Sequence, residues 1–171
     1  AEINKDIINL VSRVKENKFR PNEIVNLGTV DNKIAAEIMN LTGLDVSEYT
    51  VVIEARQIEH ILKDHGENGK TDNSLSDIKD IAKMGFVLKN PDSIIPAGRT
   101  QAYSYMENGH NKTAKTILYE KNIGEKSYYV VQAIPVTKAK KLYVVSAFIG
   151  KHGYKKEASQ LINANSPDAT T

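Results

Sequence analysis

The chain has 171 residues, of which 40% are hydrophobic and 26% are charged, and this composition predicts a globular protein with a sizeable buried core. No apolar run approaches the roughly 18 residues that a membrane-spanning helix needs. The absence of cysteine excludes disulfide bonds and thiolate zinc ligands, and the net charge is only +2.

The positive charge is concentrated in the second half of the chain. Between His110 and Lys156 there are ten lysines and two glutamates, a net charge of +8 that leaves −6 for the rest. A basic segment of this kind is typical of a surface that binds phosphate groups. The alternative interpretation is that these lysines keep strand faces and hairpin ends solvated.

The first half of the chain has the periodicity of helices. Apolar residues recur at three- and four-residue steps from Ile3 to Val14, which predicts an amphipathic helix over residues 3–17. Asp31 is suited to cap a second helix that ends at Gly43. The β-branched stretch "TVVI" predicts a strand leading into a helix in "IEARQIEHILKDHG". A further helix is predicted in "NSLSDIKDIAKMG", with a serine as its cap and Gly85 as its end.

The second half has the pattern of strands. Four candidates, "AYSYME", "KTILYEK", "SYYVVQAIPV" and "KKLYVVSAFIG", are joined by the short connections "NGHN", "NIGE" and "TKAK". Helices followed by an antiparallel meander predict an α+β fold, with N-terminal helices packed on one face of a four- to five-stranded antiparallel sheet. We expect residues 1–24 to form a helical extension, residues 25–156 the main domain and residues 157–171 a polar tail.

The helix in "IEARQIEHILKDHG" carries two histidines on different faces. At about 100° per residue, Ile58, Ile61 and His65 fall on one apolar stripe, whereas His60 lies off it. The two histidines diverge by about 140°, so they cannot easily point at one spot. This geometry argues against a metal pair on the helix, since metalloprotease histidines lie four residues apart.

His65 is the stronger candidate for chemistry. It occupies the last turn of the predicted helix, just before Gly66, where the helix dipole favours a positively charged imidazole suited to general acid–base catalysis. The alternative is that His65 merely caps the last carbonyl groups at the edge of the core. His60 has the position of an exposed surface residue, and His110 and His152 are interpreted as structural or incidental.

The side chains available for chemistry suit cleavage of a phosphodiester. The sequence contains no phosphate-binding P-loop, no dinucleotide-binding motif, no HExxH and no GxSxG. Histidine, lysine, arginine and hydroxyl groups beside a basic surface could cleave RNA without a metal ion or other cofactor. In RNA the 2′-hydroxyl is the nucleophile, so the protein supplies only a base, an acid and cations.

The order of motifs resembles a known superfamily. The "HI-x2-xHG" helix, the "NPD-x-I" turn and the lysine-rich hairpins resemble the phage-associated nuclease domains of the barnase, EndoU, colicin-RNase and RelE type, from about Val25 to Lys151. Such domains occur at the C-terminal end of phage head-morphogenesis proteins and of polymorphic toxins. The resemblance implies a metal-independent endoribonuclease with its active site on the face of the sheet, and tRNA is one possible target.

The resemblance also implies roles for individual residues. His65 and His60 match the paired catalytic histidines, and Ser146 matches a hydroxyl position on the last strand, often threonine, that can donate to the scissile phosphate. The expected substrate-binding residues are Arg99, Lys115, Lys63 and Tyr128. For Arg99 and Lys115 the alternative is a solvated strand end, and for Tyr128 it is packing within the sheet. The glutamate that acts as base in barnase-type enzymes has no assignable position.

The resemblance implies RNA as substrate and an acidic immunity protein as partner, acting in the cytoplasm of a target cell or on a phage particle. The alternative function is a non-catalytic nucleic-acid-binding module or phage structural adaptor, which needs the lysines but not His65. NAD-dependent ADP-ribosylation is a third interpretation, and no arginine–serine–glutamate arrangement supports it. The sequence leaves open the RNA target, the delivery route and the oligomeric state.

Overall fold

The computed structural model describes residues 3–96, 102–125 and 127–151. The helices are α1 (Lys5–Lys15), α2 (Asn32–Thr42), α3 (Ala55–His65), α4 (Ile78–Ile81) and α5 (Met84–Lys89). The strands are β1 (Ile24–Thr29), β2 (Thr50–Glu54), β3 (Ser93–Pro96), β4 (Ala102–Glu107), β5 (His110–Lys115), β6 (Ile117–Gly124), β7 (Ser127–Val136) and β8 (Lys141–Lys151). None of the helices in these ranges is long and apolar enough to cross a membrane.

Six of the strands form one sheet in the order β1-β2-β8-β7-β6-β3. Neighbouring strands are antiparallel, apart from the parallel pair formed by β2 and β8. The predicted α+β class is confirmed, and the sheet has more strands than the four or five expected. The additional strands are the short edge strands β1 and β3. Their strand-like sequence patterns are interrupted by Gly28 and by nearby prolines.

The remaining two strands form a separate hairpin. "AYSYME" was expected to join the main sheet beside "KTILYEK", and this expectation is wrong: β4 pairs with β5 instead. Asn108 and Gly109 both have positive φ, 51° and 79°, which is the geometry of a two-residue type I′ turn and matches the twist of the strands on either side. The tight turn starts β5 at His110, so this histidine lies in a strand and not in a loop.

The helix signals are largely confirmed. The side chain of Asn4 caps α1 by accepting from the Ile7 amide at 3.0 Å, and Asp31 caps α2, which ends at Gly43 with φ 76° as predicted. The last predicted helix differs, because the chain forms two short helices, α4 and α5. Asp77 and not a serine caps α4, and Gly85 lies inside α5 instead of ending a helix.

The main core lies between the helices and one face of the sheet. Ile7, Leu10 and Val11 of α1 are buried in the same cluster as Ile58 and Ile61 of α3, so the predicted apolar stripe of α3 is confirmed. The sheet contributes alternate residues, among them Tyr129, Val131 and Val144. Residues 157–171 lie outside the described residues.

Polar contacts join the helices to the rest of the fold. The hydroxyl of Tyr129 donates to the carbonyl of Asp80 at 2.5 Å, and burial raises the pKa of Tyr129 above its usual value. Arg13 of α1 forms an ion pair with Glu23 just before β1, and the hydrogen bond from its guanidinium lowers the pKa of the Glu23 carboxyl to about 2. The ion pair therefore joins α1 to the start of β1.

The other face of the sheet, called the open face here, is covered differently. It carries the alternate residues of the central strands: Leu118 of β6, Tyr128, Val130, Ile134 and Val136 of β7, and Tyr143, Val145 and Phe148 of β8. Ala114 of β5 packs against the cluster formed by Ile134, Val136 and Val145, so the β4–β5 hairpin lies over one end of this face.

Helix α3 begins shortly after the point where β2 stops pairing with β8. β2 pairs with β8 over only three positions, Thr50 to Val52, and then passes directly into α3. Contacts between α3 and β8 show that the helix continues along the β8 edge. One side of α3 is therefore buried in the main core, and an adjacent side reaches the open face.

Candidate functional site

A cleft of about 590 Å³ opens between α3, the open face and the β4–β5 hairpin. Its floor is apolar and is formed by Ile134 and Val136 of β7 and by Tyr143 and Val145 of β8. The hairpin contributes Ser104, Met106 and Asn108, and the turn between β7 and β8 contributes Lys138 and Ala139. An apolar floor with polar groups at its rim is the usual form of a ligand-binding cleft.

The N-terminal half of α3 and the residue before it supply ionisable and polar side chains to one wall of the cleft. Glu54, at the junction of β2 and α3, lines the cleft together with Arg56, Gln57 and His60. Arg56 and His60 are four residues apart, so successive turns place them on one side of the helix. Both are exposed. An imidazole, a guanidinium and a carboxylate therefore border one cleft.

Glu54 is placed by the transition from strand to helix. It is the last residue of β2 and the N-cap of α3, without a side-chain capping hydrogen bond. Its Oε1 lies 3.7 Å from the Arg56 Nε, and its side chain is 21% exposed. The carboxylate is thus held at the rim of the cleft and faces water.

Gln57 has an incomplete set of hydrogen bonds. The residue is 9% exposed, and its buried Oε1 has no hydrogen-bond partner within the described ranges. Gln57 lies three residues before His60, on the same edge of the helix. A buried amide oxygen without a partner costs about 1–3 kcal/mol, which makes this residue unusual among those of the helix.

His65 occupies a different environment, at the C-terminal end of α3. It is 7% exposed, and its Nδ1 lies 3.0 Å from Oδ2 of Asp72. The ring stacks on Phe148 of the open face, with centroids 5.2 Å apart and an interplanar angle of 20°. The imidazole is held by an acceptor on one side and an aromatic face on the other.

A chain of hydrogen bonds extends from His65 to the sheet. The Ser74 amide donates to Oδ1 of Asp72 at 3.0 Å, and the Ile149 amide of β8 donates to Oγ of Ser74 at 3.0 Å. The Leu75 amide also donates to the carbonyl of His65 at 2.8 Å. The loop after α3 is thereby fixed against the β8 edge, with His65 at its centre.

The other predicted site residues are dispersed. Ser146 is opposite Gln132 in the β7–β8 register and lies on the open face with Tyr128, which packs against Leu118 and Val130. Neither lines the cleft. Lys63 and Lys115 are exposed and lie outside the cleft, and Lys63 is 3.9 Å from Glu59. Arg99 lies outside the described residues.

Four residues that line the cleft are not among those predicted from the sequence, namely Glu54, Arg56, Gln57 and Lys138. Only Arg56 had a usable signal, namely its spacing of four residues from His60 on a helix. Glu54 and Lys138 reach the cleft through the pairing of β2 with β8, which joins distant parts of the chain.

The described residues contain no group of three or more His, Asp or Glu side chains arranged to hold a metal ion. The side chains at the cleft are instead suited to proton transfer and to binding a phosphate. A carboxylate and an imidazole can divide the roles of base and acid, and a guanidinium and an ammonium can stabilise charge on a phosphate.

Comparison with known proteins confirms the resemblance inferred from the sequence. No curated protein and no solved structure matches the chain. A family model described as phage-Barnase-EndoU-ColicinE5/D-RelE like nuclease3 (PBECR3) matches residues 28–158, which is more than half of the chain and includes every residue that lines the cleft. The protein therefore belongs to this family of phage-associated nucleases, and its substrate is nucleic acid.

Proposed function

We propose that the protein is an endoribonuclease toxin domain that cleaves RNA by attack of the 2′-hydroxyl on the adjacent phosphate, without a metal ion. The observation that carries this proposal is the exposed imidazole of His60, which shares one cleft and one helix edge with Arg56 and borders the same cleft as Glu54. A ribonuclease of this type needs an acid, a base and a cation, and the cleft supplies each of them.

In the proposed reaction, the Glu54 carboxylate accepts the proton of the 2′-hydroxyl while the 2′-oxygen bonds to phosphorus. The bond from phosphorus to the 5′-oxygen breaks, and the His60 imidazolium donates a proton to that oxygen. Arg56 and Lys138 stabilise the negative charge that develops on the phosphoryl oxygens. The products are a 2′,3′-cyclic phosphate and a 5′-hydroxyl.

The remaining candidates have supporting roles in this proposal. Ser146 and Tyr128, on the open face outside the cleft, would contact the RNA strand beyond the scissile phosphate, as would the exposed Lys63 and Lys115. His65 acts as a positioning residue, because its bond to Asp72 and its stack on Phe148 hold the end of α3 and hence the orientation of the helix.

A toxin of this kind requires a neutralising partner in the cell that makes it. We propose an acidic immunity protein that covers the exposed lysines around the cleft, including Lys138 and Lys140. Capture of an acidic protein from the native host by the parent, with reduced capture by a variant lacking both lysines, would support this partner.

The test of the function uses a short RNA, EDTA and analysis of both product ends. We expect cleavage in EDTA that leaves a 2′,3′-cyclic phosphate, and no cleavage of the same RNA carrying a single 2′-deoxynucleotide at the cut site. Strict dependence on an added divalent metal ion, or cleavage of the deoxy-substituted strand at that site, would refute the mechanism. Salt-dependent RNA binding without cleavage would favour a non-catalytic binding module.

A further inference from the structure

We propose that the cleft holds one unstacked nucleobase of the RNA and that the Gln57 amide recognises the hydrogen-bonding edge of this base. The proposal rests on the proposed ribonuclease function for the identity of the ligand, and on the geometry of the cleft for the role of Gln57. It makes Gln57 the residue that determines which base lies beside the cleaved phosphate.

The first support is the state of Gln57 itself. A residue that is only 9% exposed has been largely removed from water, yet its Oε1 has no hydrogen-bond partner within the described part of the chain. Buried polar groups in proteins nearly always have such a partner. An exception that lines a cleft is expected to find its partner in a ligand.

The second support is the freedom of the amide group. The terminal torsion of a glutamine side chain is broad and roughly two-fold, so rotation of the amide exchanges the positions of its oxygen and its NH2 group and can bring the oxygen to the cleft. A ligand N–H would then satisfy the acceptor that is unpaired in the free protein. Most of the desolvation of the amide has already occurred in folding, so a hydrogen bond from a ligand adds little further desolvation cost.

The third support is the shape and chemistry of the cleft. At about 590 Å³ it has room for a base and its ribose, and its floor of Ile134, Val136 and Val145 is apolar, with the Tyr143 ring beside them. Proteins bind RNA bases specifically when the bases are unstacked, placed against aromatic or apolar side chains and hydrogen-bonded at their edges. The cleft combines these features next to His60.

The role of the Gln57 amide can be tested by replacing its NH2 group with an oxygen atom, as Gln57→Glu does. A glutamine offers one acceptor and one donor group, whereas an ionised glutamate offers two acceptors. Guanine differs from the other bases in presenting two adjacent N–H donors, N1–H and the 2-amino group. Gln57→Glu should therefore shift the base preference towards guanine, and Gln57→Leu should remove the hydrogen bond without adding a charge.

The experiment measures binding and cleavage separately. Binding of the four nucleoside 3′-monophosphates to the parent, Gln57→Glu and Gln57→Leu is followed by calorimetry. Cleavage sites are then mapped on an RNA that contains all dinucleotides. Gln132→Glu is the matched control, because it makes the same chemical change on the open face outside the cleft.

We expect the parent to prefer one base and Gln57→Leu to bind the corresponding nucleotide at least about fivefold more weakly. Gln57→Glu is expected to move guanosine monophosphate up the order by about the same factor, whereas Gln132→Glu should keep the parent's order. Circular dichroism of each variant establishes that it is folded. If Gln57→Glu is misfolded, the result for Gln57→Leu decides.

The outcomes separate this inference from the proposed function. Nucleotide binding that depends on Gln57, without RNA cleavage by the parent, would support the base pocket and refute the ribonuclease. RNA cleavage with an order of bases that neither substitution alters would refute the base pocket and leave the ribonuclease standing. Failure of every nucleotide to bind the parent would also overturn the pocket.

Discussion

The two histidines of helix α3 lie in opposite surroundings. In the middle of the helix, His60 is exposed in a cleft that is also lined by a carboxylate and two cations. At the C-terminal end, His65 is 7% exposed, paired with Asp72 and stacked on Phe148. One helix thus carries a histidine that can reach a ligand and another that is held by the protein.

The difference separates two properties that a catalytic imidazole needs, namely a favourable local setting and access to a ligand. The helix terminus at His65 was the better sequence argument, because a helix dipole favours positive charge there. The cleft at His60 depends on the β4–β5 hairpin and the β7–β8 turn, which come from other parts of the chain. Substitution of each histidine in turn tests the comparison.

The largest effect is expected from His60→Ala. Because His60 is proposed to protonate the leaving oxygen, kcat/KM for a short RNA should fall by about 10²–10⁴-fold. The free energy of unfolding should change little, since the side chain is exposed. Kinetics on the purified variant, with a denaturant titration beside it, measures both quantities.

His110→Ala is the matched control, because His110 is also an exposed histidine and does not line the cleft. It should retain the parent's rate. Equal losses in the two variants would contradict the assignment of His60, and so would a parental rate in His60→Ala.

The second-largest effect is expected from His65→Ala, and it concerns mainly the free energy of unfolding. The substitution removes the Asp72 hydrogen bond and the stack on Phe148, for an expected loss of about 2 kcal/mol in the free energy of unfolding. Its activity at a temperature where it is fully folded should stay within about tenfold of the parent, in contrast to the much larger loss from a missing proton donor.

His65→Phe sharpens this test, because it keeps an aromatic ring against Phe148 and loses only the bond to Asp72. We expect a smaller loss of stability than in His65→Ala and a pH–rate profile of the same shape as the parent's. A folded His65→Phe with the activity loss expected of His60→Ala and a pH–rate profile of different shape would indicate that His65 itself transfers a proton.

Much of the fold could be predicted because its signals are local. The stripe of Ile58 and Ile61 located the buried face of α3, and Asp31 and Gly43 marked both ends of α2. Periodicity also assigned His65 to the buried side and His60 to the exposed side, as the structure confirms. These features depend on side chains within one or two turns of each other.

The cleft could not be predicted because its walls meet through distant pairings. Thr50 to Val52 of β2 pair with Lys141 to Tyr143 of β8, and this parallel pairing brings Glu54, two residues further along β2, to the cleft beside β8. The hairpin over the open face depends on β5, a polar and mostly exposed strand without an alternating apolar pattern. No local pattern encodes either arrangement.

The smallest effect is expected at the cations, where two exposed lysines can be compared. Lys138 lines the cleft and Lys115 does not, although the family resemblance implies a binding role for Lys115. Lys138→Ala should lower kcat/KM by a few-fold, up to about tenfold, because a cation near the reacting phosphate stabilises the transition state and the encounter with RNA. Lys115→Ala should change only the encounter, and by less.

Salt dependence separates the two contributions of these lysines. A lysine that contacts a phosphate of single-stranded RNA contributes about 0.7 to the slope of log affinity against log salt concentration. We expect Lys138→Ala to lose this increment in binding and, at saturating RNA, to lose part of kcat as well. Lys115→Ala should retain the parent's kcat whatever its effect on the slope. A greater loss of kcat in Lys115→Ala than in Lys138→Ala would indicate that the reacting phosphate lies near β5 and not in the cleft. That outcome would contradict the proposed role of the N-terminal half of α3.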